Sequence, residues 1–308
     1  MTTAQESRPR RTPLRLIRDN PVVLKELRSR MRGARAFIVL TVYLLLLGAF
    51  TSLVYMAVTE SQMSVSGQVT VGEVGRILFA GVVAIEMLLV SFIAPAFTSG
   101  AISGEREHQT YDLLRTTLLR SYWLVTGKLL SAMLYVVLLL LAAVPLQSIA
   151  FFFGGVAETE VFLSFLILLI TALLFSTIGL FFSARSQRTL SASVLTYSVT
   201  TFITLGLPII FLSILFVLGL SIGTASDTEA VLIYMLGALI STNPAATAFM
   251  TQNILLNQGT ITTFSYTLGN GETITLISPW IPFTILYLVL TVVFFVLSAR
   301  QINKPLEQ

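Results

Sequence analysis

Few side chains in this 308-residue chain are equipped for chemistry. Cysteine is absent and His108 is the single histidine, which removes thiol catalysis and any His/Cys metal cage. The Gly127-Lys128 pair is followed by Leu129 and has Tyr122 where a phosphate-binding loop needs its first glycine, so that motif is not a nucleotide site. Two places remain. Glu86 interrupts an apolar run, 77–99, that holds no other charge. A charged run, Glu105-Arg106-Glu107-His108, follows Gly104 and leads on to Tyr111, Leu113 and Leu114.

The elements that position these residues follow from composition. Hydrophobic residues make up 55% of the chain and charged ones 11%, against about 25% charged in average soluble domains. Mean hydropathy is +0.86. So little polar surface does not cover a soluble fold of this size. Six apolar runs, 36–58, 77–99, 129–153, 161–182, 191–219 and 279–299, are each long enough to cross roughly 30 Å of hydrocarbon. An all-α membrane protein with six transmembrane helices is therefore expected. A transmembrane β-barrel would instead alternate apolar and polar residues in segments of about ten.

Basic residues set the expected orientation. Ten lie in 1–35, four in 100–128, two in 183–190 and two in the tail at 300–308. The opposite side has Arg76 alone, beside Glu60, Glu73, Glu158, Glu160, Asp227, Glu229 and Glu272. Both termini are thus expected in the cytoplasm. Residues 1–19, with Pro9 and Pro13, read as a disordered basic tail. Residues 20–35 read as an amphipathic helix opened by Asn20 and Pro21, either lying in the interface with its cations near lipid phosphates or simply solvated. Because this basic segment runs directly into the first span, it is read as a membrane element and not as a nucleic-acid arm. Residues 36–299 form the transmembrane domain, with loop 100–128 on the cytoplasmic side and segment 220–278 outside. Within 220–278, two short re-entrant helices meeting at Asn243-Pro244 are expected, then a hairpin closed by Gly269-Asn270-Gly271. Kinks are expected at Pro95, Pro145 and Gly206/Pro208.

By pattern alone, the loop around Glu105 has two open readings. It is either a short helix with exposed leucines that docks in a partner's groove or a solvated connection. Resemblance separates them. The run Ile102-Ser103-Gly104-Glu105-Arg106-Glu107, with Thr110, Leu113-Leu114, Thr116-Thr117 and Gly127-Lys128-Leu129, resembles the region joining the second and third spans in permease subunits of type 2 ABC exporters. The likeness takes in Asn20-Pro21 and Lys25-Glu26 ahead of the first span, and the long element before the sixth. The chain departs from that pattern at Gln109, where such proteins often have glycine, and at Leu118 and Leu119, where they often have proline and serine.

The resemblance implies a non-enzymatic subunit in the cytoplasmic membrane of a prokaryote. It implies a separate nucleotide-binding ATPase that carries ATP and Mg, and a second permease copy or paralogue. It also implies that Glu105, Arg106, Glu107, Tyr111, Leu113 and Leu114 couple the two subunits.

Glu86 costs roughly 2.5–3.5 kcal/mol to place at the middle of a span. It is read either as a polar site for cargo, proton or cation, or as a bond to a neighbouring helix. No basic residue lies at its depth. The alternative functions are therefore an ion-gradient-driven transporter or channel using Glu86, and a scaffold that transports nothing. Lone His108 reads as a surface residue, and Trp123 and Trp280 as interface anchors.

Overall fold

A computed structural model describes residues 34–64, 71–111, 121–217 and 229–303. The tail 1–19 and nearly all of the helix expected at 20–35 lie outside these residues, as do Leu113, Leu114 and the last five positions. Ala34 and Arg35 already belong to α1 (Ala34–Ser64). In chain order there follow α2 (Val71–Ser99), α3 (Ser103–Glu107), α4 (Ser121–Phe153) and α5 (Glu158–Arg185). Next come α6 (Thr189–Thr201), a π-helical turn (Phe202–Gly206) and α7 (Leu207–Val217), which together make one span. The chain ends with α8 (Glu229–Ile240), α9 (Pro244–Gln258), a hairpin of β1 (Thr263–Thr267) and β2 (Thr273–Ile277), and α10 (Trp280–Asn303).

Among the described residues, six helices are long and apolar enough to cross a membrane, which makes this an all-α membrane protein. The helices outrun the apolar stretches because residues at each end keep the backbone ladder going beyond the hydrocarbon. The α4 helix, for example, begins at Ser121, well ahead of 129.

The α5 helix is the hub. About two-thirds of its apolar window (67%) is buried inside the protein, against 11% for α1 and 6% for the span containing α6. Leu168, Leu174, Phe175 and Ile178 of α5 pack with Met87 and Val90 of α2, Met133 and Val136 of α4, and Phe283 and Tyr287 of α10. Gly179 lets α5 approach α2 closely, since a Cβ there would run into the Thr98 hydroxyl. The Ser176 hydroxyl donates to the Ala94 carbonyl across the same contact.

The connections on either side of α5 are only a few residues long, so α4, α5 and α6 are neighbours in space as in sequence. The α8 and α9 helices bend by 117° at a short break. Asn243 caps α9, its Oδ1 accepting from the Ala246 amide at 3.0 Å, and Pro244 takes the first helical position. The hairpin pairs Thr267 with Thr273 next to Gly269-Asn270-Gly271 and runs out to Thr263–Ile277.

Candidate functional site

The α3 helix has only five residues, yet nearly every side chain in it is tied to another helix. The Ser183 hydroxyl of α5 accepts from the amides of Ile102 (2.8 Å) and Ser103 (3.0 Å), taking up two of the donors that a helix start leaves unpaired. Lys128 in α4 is buried and donates to Glu105 Oε1 and to the Ala101 carbonyl, both at 2.7 Å. Glu105 Oε2 and Arg106 Nε are buried without a hydrogen-bond partner among the described residues.

Arg106 reaches the Ser186 carbonyl at 3.0 Å, just past α5, and its guanidinium lies 4.8 Å from the centre of the Tyr111 ring. That geometry is a cation–π contact. Glu107 accepts from the Thr189 amide (3.1 Å) and hydroxyl (2.8 Å), so it supplies the cap at the start of α6 that Arg188 does not. The Thr189 hydroxyl first, then its amide, hold the exposed Glu107 carboxyl below the usual carboxylate range, with the charges of His108 and Arg188 helping. Tyr111 is buried, and its hydroxyl donates to the Ile302 carbonyl of α10 at 3.4 Å.

The four described coupling candidates, Glu105, Arg106, Glu107 and Tyr111, are therefore brought together, and each faces this chain's own helices. Leu113 and Leu114 lie outside the described residues. The exposed tip beyond α3 is His108-Gln109-Thr110. There Gln109 adopts φ 57°, the left-handed region that favours glycine. Sequence reasoning missed Lys128, Ser183 and Thr189 as partners. A lysine in the first turns of an apolar helix was the available signal, since a buried ammonium demands a carboxylate or carbonyls.

Glu86 lies in α2, far from α3, and is fully buried. The Gln147 amide nitrogen of α4 donates to both its oxygens at 2.9 Å, and no cation pairs with it among the described residues. Tyr43 of α1 lies within electrostatic reach of Glu86, its buried hydroxyl unpaired among the described residues. Three spans thus meet at one polar point.

A cavity of about 260 Å³ opens between α2 and the span of α6, lined by Met87, Ser91, Tyr197, Thr200 and Thr204 and by Pro244 of α9. It has no charged lining. No described group of three or more His, Cys, Asp or Glu residues is placed to hold a metal. In comparisons with known proteins, no family model matches the chain and no curated protein matches it.

Proposed function

We propose that this chain is the transmembrane permease subunit of an ATP-driven ABC exporter, moving cargo across a cytoplasmic membrane when coupled to a separate ATPase. The observation that carries this reading is the wiring of α3. Its side chains and the residues that flank it reach α4 through Lys128, the end of α5 through Ser183 and Ser186, α6 through Thr189, and α10 through Ile302. A push on α3 is therefore delivered to four of the six spans at once. Such an element suits coupling to a motor better than does a solvated connection, which needs no such anchorage.

In this reading α3 is the coupling helix, and the exposed His108–Thr110 tip with Leu113 and Leu114 meets the ATPase. Glu105, Arg106 and Tyr111 transmit the motion inward. Both termini and α3 face the cytoplasm. The bent pair α8–α9 dips into the outer leaflet and returns, and its charged N-terminal neighbours argue against a seventh crossing. A second permease copy or paralogue completes the path, and lipid surrounds the sparsely buried α1.

Mild-detergent purification of the tagged chain from native membranes, with mass spectrometry of what accompanies it, tests the reading. A stoichiometric P-loop ATPase, lost when Leu113→Lys and Leu114→Lys are introduced together, supports it. A stable complex without any ATPase overturns it.

A further inference from the structure

The end of the molecule that carries the hairpin holds a second, partly open cavity of about 370 Å³. Gly237 and Ser241 of α8, Phe264 and Leu276 of the hairpin, and Pro279 and Pro282 at the start of α10 contribute to its walls. The hairpin, which forms one of its walls, is fastened in place. The Gly269 amide donates to Glu229 at 2.9 Å, Gln258 exchanges two hydrogen bonds with Ser265 (2.8 and 2.9 Å), and Trp280 Nε1 donates to the Ile261 carbonyl at 2.8 Å. Ile233, Leu268 and Leu276 add an apolar clasp.

With the hairpin tied at three places, the apolar walls of the pocket cannot close on one another. The volume falls in the range of small-molecule sites, roughly 300–1,000 Å³. Three features narrow the occupant. No charged residue lines the cavity. The cavity reaches the first turn of the spanning helix α10, which puts it at the edge of the hydrocarbon. Lastly, the described residues at this end carry Glu60, Glu73, Glu158, Glu160, Glu229 and Glu272 against Arg76.

We infer that this cavity binds the apolar tail of a monocationic amphiphile entering from the membrane boundary. The uncharged walls take the tail and leave the ionised head outside. The acidic surroundings raise the local concentration of cations and lower that of anions. The site requires neither ATP nor a partner, so its test stands apart from the exporter reading.

Gly237 supplies the handle, because a Cβ added there meets nothing within 4 Å. Gly237→Phe therefore fills the cavity without a backbone clash, and Gly237→Ala leaves it open. The chain has two tryptophans, and Trp123→Phe leaves Trp280, beside Pro279 and Pro282, as the reporter. The experiment titrates this single-tryptophan chain, in zwitterionic-lipid nanodiscs, with dodecyltrimethylammonium brominated at the tail end. Saturable quenching is expected, unchanged by Gly237→Ala and weakened about tenfold by Gly237→Phe, equivalent to about 1.4 kcal/mol. Brominated dodecyl sulfate, corrected for partitioning, should bind several-fold more weakly.

Quenching that never saturates and is the same in Gly237→Phe means simple partitioning into the bilayer and overturns the proposal, as does equal binding of the sulfate. Native mass spectrometry of the chain with both tryptophans gives an independent reading. One bound cation that is lost in Gly237→Phe supports the site, and its retention there overturns it.

Discussion

The Asn243 amide nitrogen donates to the Thr204 carbonyl at 2.5 Å. That carbonyl lies four residues before Pro208, which has no N–H to return to it. One side chain therefore does two things. It caps α9 through Oδ1 and closes the gap that proline leaves beside the π-helical turn of the fifth span. Asn243 is thereby the joint between the fifth span and the α8–α9 pair, next in sequence to Pro244, which lines the α2–α6 cavity.

These two roles are separable. Asn243→Asp keeps the cap and loses the donor, and should lower stability by about 1–3 kcal/mol, the cost of an unpaired buried polar group. Pro208→Ala restores a backbone donor and should recover most of that loss in the double variant, whereas in Asn243→Ala it recovers only that share and leaves the cost of the missing cap. Thermal unfolding of the four chains in one detergent reads the cycle. Strict additivity of Asn243→Asp and Pro208→Ala would sink the joint assignment.

Lys128 and Glu105 form a second testable pair. Lys128→Met leaves the Glu105 carboxylate half-sequestered without its cation, and a loss of about 3 kcal/mol is expected. Adding Glu105→Gln removes the stranded charge and should return part of that stability. Recovery by the second change, measured as a rise in Tm over Lys128→Met alone, is the decisive observation. A further fall means that the two groups contribute independently.

At Gln109 the expected change is a gain. Its φ of 57° costs an L-residue roughly 1 kcal/mol that glycine does not incur. Gln109→Gly should therefore raise Tm or leave it unchanged despite the glycine's added freedom in the unfolded chain, while Gln109→Val should lower it. If valine is tolerated as well as glycine, the left-handed conformation is not held in solution.

The Glu86–Gln147 contact makes an opposite kind of cycle. Gln147→Leu strips Glu86 of the donor to both its oxygens and should cost about 1–3 kcal/mol. Glu86→Leu with Gln147→Leu together should approach the stability of the unsubstituted chain, because replacing both partners with apolar groups can be nearly neutral. Transport by that double variant, once cargo is known, distinguishes a packing contact from a working site. Retained transport assigns the pair to packing.

Much of the architecture was legible because a bilayer demands unbroken apolar length, and nothing else in 308 residues produces six such runs. The bend at Asn243-Pro244 was legible because an N-cap followed by proline at the first helical position has few other uses. The hairpin was legible because Gly269-Asn270-Gly271 tolerates tight-turn dihedrals. The direction in which the α3 side chains point was not. Five residues make too short a helix to present a periodic apolar face, so Glu105, Arg106 and Glu107 read as docking groups or as a solvated connection, and their bonds to this chain's own helices went unread. Gln147 escaped notice because an amide within an apolar run carries no sign of its partner, which sits 61 residues away. The π-helical turn and the donor to Thr204 both depend on backbone geometry that residue types only hint at through Gly206 and Pro208.

That 61-residue separation bears on how the protein is made. At about 5–20 residues per second, the ribosome delivers Gln147 some 3–12 s after Glu86. Through that interval the second helix has been synthesised with its carboxyl lacking the amide that later receives it. The pair can therefore close only once α4, the third span, has joined α2 in the bilayer.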